Sequence, residues 1–215
     1  MKVKNESMLV YAVTDRAWLN GKTLEEQVEK AIQGGATLIQ LREKQLHYDD
    51  FLEQAIKIKK ITAQYHIPFI INDNVEIALA VDADGVHVGQ KDMQANMVRK
   101  KLGENKIIGV SVQTLEQALS AEKNGADYLG VGAVFSTSTK QDASEVSFET
   151  LQNICKAVSI PVVAIGGINI KNIAKLKNSG IDGVAVVSAI FAQKDITKAT
   201  QELVSLSKEI LKNHC

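Results

Sequence analysis

The chain is poor in the residues that define several protein classes. It has two prolines, two cysteines, one tryptophan and 5% aromatics, and its 25 basic side chains balance 25 acidic ones. Balanced charge leaves no net field to draw in a nucleic acid or an anionic membrane surface, so a small substrate is the expectation. Sparse aromatics supply no base-stacking platform. Two cysteines, Cys155 in an apolar helix-like stretch and Cys215 at the last position, make neither a disulfide framework nor a metal-ligand spacing. The only apolar run near the start, Met8–Val13, is shorter than a signal core or a membrane span, which predicts a cytoplasmic protein. At 215 residues the length suits one large domain, residues 1–215, with no visible seam.

What is present is repetition. Eight short runs rich in Val, Ile and Leu recur: Leu9–Val13, Thr37–Leu41, Phe69–Ile71, Gly85–Val88, Ile107–Val110, Tyr128–Val131, Val162–Ile165 and Gly183–Val187. Most are nearly continuous in apolar residues, the pattern of parallel strands covered on both faces. Amphipathic stretches such as Thr23–Gln33, Asp49–Tyr65 and Leu115–Lys123 lie between them. Gly34-Gly35-Ala36, Gly125-Ala126-Asp127 and Gly180-Ile181-Asp182 close helices and lead into strands, because glycine tolerates the left-handed turn at a helix end. Pro68 and Pro161 stand at strand entrances, where a missing N–H matters least. Thr23-Leu-Glu-Glu26 and Thr114-Leu-Glu-Gln117 have the capping-box form.

Eight strand–helix units predict an α/β TIM (β/α)8 barrel. An open doubly wound sheet is the alternative, but no glycine-rich dinucleotide turn follows the first strand. Gly130-Val131-Gly132 has Phe135 where a final glycine is needed.

In such a barrel the loops after the strands form the active face, and the chemically capable residues fall there. Arg42, Lys44 and Lys140 are cations from two loops, and Asp73 and Asp92 are hard oxygen donors. Together they suit a diphosphate with Mg2+, although either aspartate could instead cap the helix that follows it. Gly166-Gly167 after the seventh strand and Ser188 after the eighth suit a phosphate, with a tight turn as the plainer account of the glycines. His87 reads as a packed, hydrogen-bonded core histidine, His47, His66 and His214 form no metal spacing, and nothing nominates a base for Ser111 or Ser188.

Gln40-Leu-Arg-Glu-Lys44, Ile71-Asn-Asp-Asn74, Gly85-Val-His-Val-Gly-Gln-Lys-Asp92, Gly109-Val-Ser111, Gly130-Val-Gly132 with Thr137-Ser-Thr-Lys140, and Ala164-Ile-Gly-Gly-Ile168 resemble, in order and spacing, the motifs of the thiamine phosphate synthase family. The likeness spans Tyr11 to Ile190. It implies a transferase of thiamine biosynthesis that joins an aminopyrimidine diphosphate to a thiazole phosphate. It implies that Gln40, Leu41, Arg42, Glu43, Lys44, Asn72, Ser111 and Lys140 hold the pyrimidine diphosphate, with Arg42, Lys44, Ser111 and Lys140 acting in catalysis. Asp73 and Asp92 would bind Mg2+, and Thr137, Ser138, Thr139, Gly167, Val187 and Ser188 would receive the thiazole phosphate. A homodimer is also implied. One departure is Ala133 with Ser136, in a loop where the family often has proline at both places, which removes two stiff residues. A thiazole tautomerase of similar fold, a non-catalytic sensor of a thiamine precursor, and another sugar-phosphate barrel are the competing expectations.

Overall fold

The computed structural model describes residues 4–137 and 145–211. Eight parallel strands close in sequence order into a barrel: β1 (Val10–Val13), β2 (Leu38–Leu41), β3 (Phe69–Asn72), β4 (Gly85–Val88), β5 (Ile107–Val112), β6 (Tyr128–Val131), β7 (Val162–Ile165) and β8 (Gly183–Val186). The helices around it are α1 (Leu24–Gln33), α2 (Tyr48–Gln64), α3 (Val75–Ala80), α4 (Ala95–Leu102), α5 (Leu115–Lys123), α6 (Phe148–Ala157), α7 (Ser188–Phe191) and α8 (Ile196–Leu211). Between β7 and β8 the expected helix is reduced to a 3-10 turn, Ile173–Leu176. None of the described helices is long and apolar enough to cross a membrane.

Strand alternation divides the core in two. Val10, Ala12, Ile39, Leu41, Phe69, Ile71, Val86 and Val88 face the helices in one large apolar shell. Tyr11, Val13, Leu38, Ile70, Ile107, Tyr128, Val163 and Ala185 fill the barrel interior. Covered strands of this kind need branched side chains on both faces, which is why the runs read as continuous in sequence. By the same period of two, Gln40, Asn72, His87 and Ser111 fall on the inward side of their strands.

At the N-terminal end of the barrel one device occurs four times. Thr37, Asp84, Asp127 and Asp182 each stand just before an even-numbered strand. Each gives its backbone N–H to the carbonyl of Val10, Phe69, Ile108 or Val162 respectively, at 2.7–2.9 Å. Its side chain accepts the N–H of that same residue, at 3.0, 2.9, 2.8 and 2.8 Å. Strands one and two, three and four, five and six, and seven and eight are thereby clamped in pairs. Lys59 backs Asp84 at 2.9 Å, and Arg99 backs Asp127 at 2.6 Å while also holding the carbonyls of Lys106 and Gly125. Charged hydrogen bonds of this sort contribute about 1.5–3 kcal/mol each.

Helix termini follow their local chemistry. Thr23 accepts the Glu26 amide, and the Glu26 carboxylate accepts the Thr23 amide, so the capping box is complete. At α5 Thr114 accepts the Gln117 amide, but the Gln117 side chain reaches one residue further back to the Gln113 amide. The left-handed residue ending α1 is Gly35 rather than Gly34, whose lack of a Cβ instead admits Thr197 and Thr200 of α8.

Candidate active site at the C-terminal end of the barrel

The loops after β2, β3 and β4 bring the charged residues together. Lys44 Nζ lies 2.5 Å from Asp73 Oδ2, a half-exposed cation (52% side-chain exposure) on a carboxylate from the next loop. Asp73 holds a left-handed backbone (φ 61), with its N–H on the His87 carbonyl at 2.8 Å. Such a conformation is uncommon for a side-chain-bearing residue and best tolerated by Asp or Asn. Neither aspartate caps a helix. Asn74 caps α3 by accepting the Ile77 amide at 2.9 Å, and Gln94 precedes α4. Asp92 instead closes a turn on the Gly89 amide at 2.8 Å. Partial burial and the neighbouring Asp73 carboxylate raise the Asp92 carboxyl above its ordinary range, against the Gly89 amide, which favours the anion. Two carboxylates that meet across two loops could hold a hard cation between them.

Among the described residues no group of three or more His, Cys, Asp or Glu forms a metal cluster. The carboxylate pair has the donor chemistry of a Mg2+ site, since that ion binds through one or two carboxylates and fills its octahedron with water and phosphate oxygens. Asn72 adds a second sign. Its side chain is buried, and its Nδ2 has no hydrogen-bond partner among the described residues, a donor facing the same cleft as Lys44 and Asp73. A buried donor of this kind is costly until it meets an acceptor such as a phosphate oxygen. The cleft has a volume of about 410 Å3, and Met93 of the β4–α4 loop and Lys101 of α4 also line it.

The remaining residues of the β2 motif play unlike parts. Gln40 points into the barrel and its amide nitrogen donates to the Tyr11 hydroxyl. Leu41 is fully buried in the outer shell, so any contribution to a ligand comes from its backbone. Arg42 is partly buried, 3.4 Å from Asp15, with its amide on Thr14 Oγ1 at 3.0 Å. The Glu43 side chain is 3% exposed, and both its oxygens accept from Arg16 Nε at 2.8 and 2.9 Å. Burial raises the Glu43 carboxyl and Arg16 opposes that shift. Glu43 therefore ties the β1 loop to the β2 loop, and its oxygens are already engaged. The strand ends at Leu41, so Arg42 and Lys44 lie in the loop beyond it, outside the alternation of β2.

Ser111, inside β5, lies 2.8 Å from His87 Nε2 through its hydroxyl, and its carbonyl accepts from the Gln90 side-chain Nε2 at 2.8 Å. The histidine is indeed packed and hydrogen-bonded, as its place in an apolar run predicts. It also provides the ring-nitrogen partner for Ser111 that sequence spacing does not reveal.

On the opposite side, the loop after β6 is pinned to β7. The amides of Val134 and Phe135 donate to the carbonyls of Ile165 and Gly166, and that of Val146 donates to the Ala133 carbonyl. These bonds restrain the loop at both described ends without the two prolines. Gly166 (φ 101) and Gly167 (φ 66) are left-handed, and a Cβ on either would overlap Ala133 or the Ser136 carbonyl. Packing alone thus accounts for this glycine pair. Val187 packs on the inner core beside Ser188, the first residue of α7, and Thr137 ends the described part of the β6 loop. Ser138, Thr139 and Lys140 lie outside the described residues.

Comparison with known proteins agrees over nearly the whole chain. The family described as Thiamine monophosphate synthase matches residues 10–190. A Thiamine-phosphate synthase from Ruminiclostridium cellulolyticum is 57% identical over 206 residues, covering 96% of this chain and 98% of the relative. One from Clostridium tetani is 54% identical over 209 residues, covering 97% and 100%. Among solved structures, Thiamine phosphate pyrophosphorylase from Pyrococcus furiosus superposes with a TM-score of 0.89 at 43% identity, covering 96% of this chain and 98% of that one.

Proposed function

The chain belongs to the thiamine monophosphate synthase family, and from that membership we propose that it is a transferase forming thiamine phosphate and diphosphate from an aminopyrimidine methyl diphosphate and a thiazole phosphate. The observation that carries the reading is the junction of Lys44, Asp73 and Asp92 beside the unpartnered Asn72 donor. A tautomerase acting on the thiazole half alone has no use for that diphosphate equipment.

In this reading Asp73 and Asp92 hold Mg2+. Bound there, the ion supplies Lewis-acid neutralisation of diphosphate oxygens. Asn72 donates to one of those oxygens, which satisfies its buried amide. Lys44 leaves Asp73 for the diphosphate at little cost, since an exposed ion pair contributes only about 0–1 kcal/mol. Arg42, restrained by Asp15 and Thr14, and Lys140 add positive charge from two sides. As the diphosphate departs, its bonding pair leaves with it, and these cations stabilise the charge that grows on it. The remaining pyrimidine-methyl cation is stabilised by its ring amino group, and the thiazole nitrogen attacks it. No protein nucleophile takes part. Gln40 and Ser111 orient the pyrimidine, while Gly167, Val187, Ser188 and the segment from Thr137 to Thr139 receive the thiazole phosphate.

A small-molecule enzyme of this kind works in the cytoplasm, without nucleic acid or membrane, and we assign it a homodimer on family grounds. The test is to incubate purified protein with both substrates and Mg2+, then oxidise any thiamine phosphate to fluorescent thiochrome. Metal-dependent product is the expected outcome. Folded protein that binds thiazole phosphate yet yields no product would overturn the proposal in favour of the tautomerase or the sensor.

A further inference from the structure

The barrel interior contains a line of polar groups that takes no part in the diphosphate chemistry. From Gln40 Nε2 it passes to the Tyr11 hydroxyl, then to the Tyr128 hydroxyl at 2.8 Å. It continues to His87 Nδ1 at 2.9 Å and leaves from His87 Nε2 to the Ser111 hydroxyl at 2.8 Å. Strands β2, β1, β6, β4 and β5 each contribute one member. Tyr11 and Tyr128 meet edge-on with ring centroids 5.8 Å apart, and His87 lies tilted over Tyr128 at 5.5 Å.

Space for this line is made deliberately. A Cβ on Gly109 would overlap the Tyr128 ring and His87 Nδ1, and one on Gly130 would press on His87 Cε1. The surrounding side chains, Leu38, Ile70, Ile107 and Val163, are apolar, so each polar member is costly unless bonded. An apolar filling would stabilise the barrel as well or better. What the line provides is orientation, because each hydroxyl has a single proton and its direction fixes that of the next group.

The Ser111 hydroxyl is held by His87 Nε2, and His87 is in turn held at Nδ1 by Tyr128, which Tyr11 and Gln40 hold from behind. Burial pushes both phenols well above their ordinary range, which keeps both tyrosines neutral. The Ser111–His87–Tyr128 sequence is therefore unlike a nucleophilic triad, whose third member is an anion that stabilises imidazolium.

We infer that His87 is a positioning residue that, itself fixed through Tyr128, Tyr11 and Gln40, holds the Ser111 hydroxyl in place for the pyrimidine substrate. The inference rests on the proposed synthase reading. If wild-type protein forms no thiamine phosphate, that reading fails before this one is reached.

Given wild-type activity, the experiment is a double-mutant cycle of His87→Gln and Ser111→Ala, read as kcat/KM for the pyrimidine diphosphate and KM for the thiazole phosphate. His87→Gln should lower kcat/KM for the pyrimidine substrate on the order of tenfold while leaving the thiazole phosphate KM unchanged. In the Ser111→Ala background the same change should have little further effect, because its route to the substrate is already cut. Tyr128→Phe keeps the ring, removes only the hydroxyl, and should also lower pyrimidine kcat/KM several-fold, which preserves the test if His87→Gln folds poorly. Losses that multiply across the two sites, or that fall equally on both substrates in step with melting temperature, would show a merely structural histidine.

Discussion

The two ends of the barrel use the same residue types to opposite ends. At the N-terminal end, Asp84, Asp127 and Asp182 each accept a strand amide, and Lys59 and Arg99 sit on the first two, so charge is consumed in holding the fold. At the C-terminal end Asp73 raises the cost of ionising Asp92, Lys44 is half exposed, and Asn72 has a buried donor without an acceptor among the described residues. Satisfied charge stabilises, whereas charge left partly unsatisfied is available to a ligand.

Substitutions at the two ends should separate activity from stability. The largest effect is expected for Asp92→Asn, which keeps an acceptor for the Gly89 amide but halves the carboxylate pair. Turnover should fall on the order of 100-fold with a weakened Mg2+ requirement, and the melting temperature should hardly move. An unaltered metal titration would remove Asp92 from the site. Asp127→Ala at the other end should do the reverse. Stranding Arg99 and the Ile108 amide costs about 3 kcal/mol, a fall of roughly 6–12 °C in melting temperature, with activity per folded molecule retained. Gly167→Ala sharpens the contrast by mixing the two, since its left-handed backbone also packs on the Ser136 carbonyl. About 1–3 kcal/mol of destabilisation should accompany a higher KM for thiazole phosphate, leaving the pyrimidine KM alone. The smallest effect belongs to Cys155, whose thiol burial pushes up to about 12. In a Cys215→Ser background, iodoacetamide at pH 8 should label it only after denaturation, and activity should survive the treatment.

Much of this was legible in the residues. Covered parallel strands need apolar side chains on both faces, so all eight runs stand out, and Gly85–Val88, Tyr128–Val131 and Val162–Ile165 match the observed bounds. The meeting of Lys44, Asp73 and Asp92 was legible because the barrel assigns strand ends to one face. Other features depend on where the strand stops or on which strands become neighbours. Arg42 and Lys44 lie past the end of β2, so period-two reasoning did not reach them. Tyr11 and Tyr128 are 117 positions apart, and no local spacing announces their contact. A usable signal did exist. Tyr11, Gln40, His87, Tyr128 and Ser111 all stand at the inward parity of otherwise apolar runs, where a polar group is affordable only if other inward polar groups meet it.

The paired clamps also say where the chain can be divided. Each joins the starts of two successive strands, so a break after Gly103, between α4 and β5, leaves two of these backbone pairs on either polypeptide and severs only the Arg99 support of Asp127. A break between α3 and β4 would part Phe69 from Asp84. The barrel is in this sense four self-closed quarters laid around a circle, and a half made of whole quarters carries the means to hold its own strands in register until it meets its complement.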